Sequence, residues 1–187
     1  MTDYRSGYGA VAISLHWLVF AFIMTNWLLG LYMVELPLSP LKLKTFSWHK
    51  WIGVTALLIV VFRVTWRATH PVPPLPVSIP QWQRKLANLS HLVLYLLLLA
   101  VPLSGWLYSS ATGVPTVYLG WFQLPDLVQK DRQLAALLKI AHISLNSGLF
   151  LVVCVHIAAA LKHHWLDRDD VLIRMLPFLS RTGRNRP

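Results

Sequence analysis

The chain has 187 residues, is 56% hydrophobic and only 13% charged, carries nine Trp, and has a formal net charge of +10. That composition excludes an ordinary soluble domain, a disordered basic tail protein and, with one cysteine, a disulfide framework. It predicts an integral membrane protein, a single membrane domain over residues 1–187.

A bilayer span needs about 20 apolar residues. The first run that qualifies is Val11–Val34, too long for a signal-peptide core and followed by Glu35, Pro37 and Pro40 rather than a cleavage pattern, so it is expected to be retained. Thr45–Trp66, Leu86–Tyr108 and Ile140–Leu161 follow. The expected fold class is all-α, a membrane four-helix bundle. Connections at 35–44, 70–85 and 109–133 separate the spans, the last punctuated by Gly113, Pro115, Gly120 and Pro125. Trp48, Trp51, Trp66, Trp82 and Trp165 fall near the span ends, where indoles favour the headgroup region. Cys154 falls in mid-span and is expected to pack.

Orientation follows from Lys and Arg. Arg5, Arg63, Arg67, Arg84, Lys85, Lys162, Arg168, Arg174, Arg181, Arg184 and Arg186 lie on the side of the termini, against Lys42, Lys44, Lys50, Lys130, Arg132 and Lys139 on the other. Both termini are therefore expected in the cytoplasm, with the multi-pass chain in a bacterial inner membrane. The basic tail is explained by orientation and anionic lipid, and no nucleic-acid partner is expected.

Within the fourth span, His142 and His156 are fourteen residues apart, about 21 Å along a helix and about 40° in direction. One imidazole therefore stands near each side of a hydrocarbon core about 30 Å thick, both facing the same interior. Counting residues along the other spans places His49 level with His142, and both His16 and His91 level with His156. Paired imidazoles at two depths suit iron porphyrin, a flat apolar ring that takes a histidine nitrogen on each face, so two b-type haems are expected. Zinc is less suited, since no Cys or carboxylate completes a four-ligand site, and the chain has no CxxCH for covalent attachment. Gly53 and Ala160 sit one turn beyond His49 and His156 and leave room for a porphyrin edge or for close helix packing. Arg63 and Arg67, one turn apart, are candidate partners for haem propionates. His70 is read as a solvated loop residue.

The segments ISLHWLVF, FSWHKWIG, LSHLVLYLLLLAVPLSGW, KIAHISLN and CVHIAAALKHH together resemble bacterial cytochrome b561, a four-helix dihaem family also similar to the cytochrome b subunits of nickel–iron hydrogenases and formate dehydrogenases. The resemblance covers nearly the whole chain. It implies that His49 and His142 hold the periplasmic-side haem and His16 and His156 the cytoplasmic-side one. It also implies that His91 and His163, with His164 a weaker candidate, border a ubiquinone pocket.

Among compact members the likeness in type is to superoxide oxidases, which pass electrons from superoxide through two haems to ubiquinone. Lys50, Lys139, Lys42, Lys44, Lys130 and Arg132 around the outer pair fit an approach for a small anion. The alternative expectation is an electron-transfer membrane subunit serving a separate dehydrogenase or other redox partner protein. A haem-free transporter is a third, which a colourless purified protein would establish.

Overall fold

The computed structural model describes residues 7–74 and 79–179. Arg5, Arg181, Arg184 and Arg186 lie outside the described residues. Four long helices dominate: α1 (Ala10–Glu35), α2 (Pro40–Thr69), α3 (Gln81–Thr112) and α4 (Arg132–Lys162). Each is long and apolar enough to cross a membrane.

α2 and α4 begin before their apolar runs because side-chain caps rather than lipid fix their starts. Ser39 accepts the Lys42 backbone N–H at 3.3 Å, with Pro40 preset in the first turn. The Asp131 carboxylate accepts from the N–H groups of Gln133 at 2.7 Å and Leu134 at 3.0 Å, so α4 starts eight residues earlier than its apolar stretch. At the other end of α3, Gly113 takes a left-handed φ of 73° and bonds back to Ser110 O at 2.9 Å.

The sequence marks the connection from α3 to α4 only by its turn formers. That connection contains a short antiparallel hairpin, β1 (Val117–Tyr118) against β2 (Phe122–Gln123). The hairpin marks one end of the bundle, here the hairpin end; residues 7 and 179 mark the tail end.

α1 packs chiefly on α2 and α3 on α4, with α2 against α3 joining the two pairs. All four helices contribute to a buried layer of Val19, Val60, Leu94, Leu98, Val101 and Leu149. Leu149 is seven residues from both His142 and His156, two turns each way and hence on their face of α4. Large aliphatics elsewhere point outward: Leu28, Leu58, Leu96 and Leu151 are each more than half exposed, as lipid contact requires and water does not permit over such an area. Cys154 is likewise exposed rather than packed in the interior.

Beyond α4 the chain forms a π-helical turn, His163–Asp167, reverses at Arg168 with φ 53°, and folds back across the tail end. Trp17 Nε1 donates to Met175 O at 2.8 Å, and Arg174 donates to Pro74 O at 2.6 Å.

Candidate functional site

At the hairpin end, the rings of His49 on α2 and His142 on α4 have centroids 6.3 Å apart and planes 89° apart. Each ring is held from behind by its neighbouring helix. His49 Nδ1 donates to the Asn26 backbone carbonyl at 3.1 Å. His142 Nδ1 lies 3.0 Å from Val101 O and 3.0 Å from Ser104 Oγ, while that hydroxyl donates to Val101 O at 2.7 Å.

Glycines make this approach feasible. A Cβ at Gly30 would stand 3.2 Å from His49 Cε1, and one at Gly105 3.0 Å from His142 Cε1. Donation from Nδ1 fixes the proton there and leaves the Nε2 lone pair free, the arrangement that a metal-binding imidazole needs. The pair borders a cavity of about 580 Å³, lined also by Asn26, Gly53, Trp106 and Asn146, within the range of about 300–1,000 Å³ usual for cofactor sites.

At the tail end, His16 on α1 and His156 on α4 are again 6.3 Å apart between centroids, with 52° between planes. His91 on α3 is closer to His156, at 5.5 Å.

These distances test the fit to iron held on both faces. An imidazole nitrogen–metal bond of about 2.0–2.1 Å, as known for zinc, plus about 1.1 Å from nitrogen to ring centre, counted on both sides, requires centroids roughly 6.2–6.4 Å apart. Both 6.3 Å pairs meet that requirement; His91 with His156 is too close for it. Depth alone left His16 and His91 equivalent, and only the packing of α1 and α3 separates them.

Arg63 Nη2 donates to His16 Nδ1 at 2.9 Å, and the Arg63 and Arg67 guanidinium groups lie 5.7 Å and 5.8 Å from the Tyr95 ring centre. An Nε2 ligand must carry its proton on Nδ1, where it cannot also accept from Arg63. His16 thus fits the iron only if Arg63 turns to another acceptor, and a haem propionate at this end is chemically suited to receive it.

His163 is engaged elsewhere: its Nδ1 lies 2.6 Å from Asp169 Oδ2 and 3.1 Å from Asp167 Oδ2. His164 is half-buried in the same turn. His70 stacks on Trp66 at 3.7 Å in the exposed loop.

The six cations of the hairpin end divide. Lys42 and Lys50 line the cavity, whereas Lys44, Lys130, Arg132 and Lys139 are exposed and do not. The Lys42 ammonium donates to Leu36 O at 2.6 Å and Val34 O at 3.3 Å, so it caps α1. Lys50 reaches Val114 O at 3.3 Å and Pro115 O at 3.5 Å. Lys44 stands 5.1 Å over the Trp48 ring, and the Lys130 stem lies over Gly113. A Cβ at Gly53 would meet only Asn26 Nδ2, at 3.5 Å, which is ordinary helix packing.

Sequence reasoning missed Gly30, Gly105, Asn26, Ser104 and Tyr95. Tyr95 follows His91 by four residues on one face of α3, and Gly30 follows Asn26 likewise on α1, so helical spacing carried a signal for both.

The family described as prokaryotic cytochrome b561 matches residues 7–178. Cytochrome b561 homolog 2 of Escherichia coli K12 is 37% identical over 177 residues, covering 94% of both chains. The probable superoxide oxidase CybB of Yersinia pestis is 28% identical over 180 residues, 91% of this chain and 96% of its own. Cytochrome b561 homolog 1 of Escherichia coli K12 is 34% identical over 128 residues, 68% of each.

Proposed function

The chain belongs to the prokaryotic cytochrome b561 family, membrane electron-transfer proteins that bind b-type haem, and from that premise we propose that it is a dihaem superoxide:ubiquinone oxidoreductase of the bacterial inner membrane. His49 and His142 would hold haem iron at the hairpin end, which in this reading faces the periplasm, and His16 and His156 would hold it at the tail end, with both termini cytoplasmic. The observation that carries this reading is the repeated 6.3 Å separation, one pair at each end of α4. Haem, when bound, would supply one-electron carriers at the two levels.

The protein's own groups do the rest. Lys50, half-buried beside His49 and lining the cavity, gives the hairpin end a cation that draws a small anion toward the outer pair. Two superoxide anions each surrender one electron there and leave as oxygen.

At the tail end His91 and His163 border the quinone. Asp169 holds His163 Nδ1, so that the Nε2 side is presented. Ubiquinone takes the two electrons with two protons and leaves as ubiquinol. Arg63 and Arg67, both beside the Tyr95 ring, would pair with the propionates of a haem held at this end.

Support for the superoxide reaction comes from the Yersinia pestis relative's name and from the placement of Lys50. Stopped-flow mixing of superoxide with the purified protein tests it. Superoxide is expected to reduce the b-type bands, and added ubiquinone to reoxidise them. A protein whose bands ignore superoxide, and which copurifies in fixed ratio with a dehydrogenase that reduces them, is an electron-transfer subunit instead.

A further inference from the structure

The hairpin between α3 and α4 has an unusual composition for a loop of a membrane protein. Its tip, Leu119, Gly120 and Trp121, is followed by Phe122, and Trp121 is 94% exposed while Leu119 and Phe122 are each more than half exposed. Leu119 and Gly120 both have positive φ, 53° and 79°. Glycine accepts that conformation freely and asparagine tolerates it, but leucine does not, so an apolar side chain stands where local backbone preference asks for a small or polar one. A tip bathed in water gains nothing from that exchange. A tip bathed in lipid does.

Contacts with α2 give the depth. Lys50 Nζ reaches Val114 O and Pro115 O, Trp51 Nε1 donates to Val117 O at 2.6 Å, and Thr55 Oγ1 bonds the Tyr118 hydroxyl at 2.9 Å. The chain from 114 to 117 therefore runs beside α2 at Lys50 and Trp51, and the Tyr118 side chain extends from it to Thr55, five residues or about 7.5 Å further toward the bilayer centre than Lys50. Residues 51–62 of α2 carry no charge at all, so Thr55 lies within the apolar part of that helix.

Backbone polar groups can enter that zone only if satisfied. Here the strands pair, Trp121 N bonds Tyr118 O at 3.1 Å, and Leu124 N bonds Thr116 O at 2.9 Å. On the far side Trp106 Nε1 on α3 holds Pro125 O at 3.0 Å, fastening the segment to a second helix.

We propose that Val117–Gln123 is an interfacial membrane element: Leu119, Trp121 and Phe122 insert among phospholipid acyl chains of the adjacent leaflet, while Val114, Pro115 and Val117 close the flank of the hairpin-end cavity against that lipid. The partner is the bilayer itself, and the inference is independent of which reaction the protein performs.

Site-directed spin labelling tests it. Trp121→Cys is made in a Cys154→Ala background, labelled with a nitroxide, and reconstituted in vesicles of phosphatidylethanolamine and phosphatidylglycerol. The collision rate with oxygen, which concentrates in lipid, is expected to exceed that with a water-soluble nickel chelate, with the reverse order for a label at Gln129 on the exposed loop. Phe122→Cys provides a second position should the first variant fail to accumulate, and circular dichroism checks the helices. Leu119→Asn, which eases the backbone, is expected to raise nickel accessibility at 121. A label at 121 as open to nickel as one at 129 overturns the proposal, as does one shielded from both reagents, which would mark a protein–protein contact.

Discussion

Gly105 lies so close to the His142 ring that a Cβ added to it would stand 3.0 Å from Cε1. The neighbour it would displace is a ring fixed by Val101 O and Ser104, with no flexible end to yield. Gly105→Ala is therefore expected to tilt His142 and cost about 1–3 kcal/mol by overpacking. Given the proposed two haems per chain, the haem content of the purified variant should fall toward one. Gly30→Ala, at 3.2 Å from His49 Cε1, should act in the same direction more weakly, and Gly53→Ala should keep both haems.

His91 and His16 provide a sharper comparison, since both rings stand near His156 but only His16 at a ligand-pair distance. His16→Ala is expected to remove one haem from the reduced-minus-oxidised spectrum and His91→Ala to leave both. Quinone reoxidation of the His91→Ala protein should nevertheless slow. Loss of a haem in His91→Ala with retention in His16→Ala would reverse the assignment.

Ser104 shares the Val101 carbonyl with His142 Nδ1. The Ser104 oxygen also lies 3.0 Å from Nδ1, so removing the hydroxyl both takes one acceptor from the imidazole N–H and frees the carbonyl, which changes electron donation from the ring to a bound metal. Redox titration of Ser104→Ala should show one midpoint shifted and the other unchanged. Ser104→Thr, keeping the hydroxyl, should restore the original value.

Among the described residues two cations, Lys42 and Lys50, line the cavity; Lys42 caps α1, and Lys50 makes longer contacts, at 3.3 Å and 3.5 Å, to Val114 O and Pro115 O. Lys50→Glu is expected to slow superoxide-driven haem reduction by about tenfold and to flatten its dependence on ionic strength, because steering effects span about 10 to 1,000-fold and are screened by salt. The same reversal at exposed Lys44 or Lys139 should have a smaller effect. Stopped-flow traces at two salt concentrations separate these cases.

The four helices were readable because lipid demands long uncharged runs, and the levels of the histidines followed from a fixed helical rise. What fixes the rings was not readable. Asn26 and Val101 act through backbone carbonyls, which every residue owns, so their identity gives no sign of the role. The choice between His16 and His91 depends on how α1 and α3 turn about their axes, which residue counting does not supply. The hairpin escaped because strands of two residues are too short for an alternating pattern, and the start of α4 lay in a polar stretch whose signal was the Asp131 cap.

Leu149 and its buried companions place a layer of hydrocarbon side chains from all four helices between the two histidine levels. Electrons crossing about 21 Å of a core about 30 Å thick traverse roughly two thirds of the transmembrane voltage, or about 1.6 kcal/mol each per 100 mV. With the hairpin end on the positive side, as proposed, that work would oppose transfer toward the proposed quinone site. The cell's energisation would then set a ceiling on how reduced a quinone pool could become through that route.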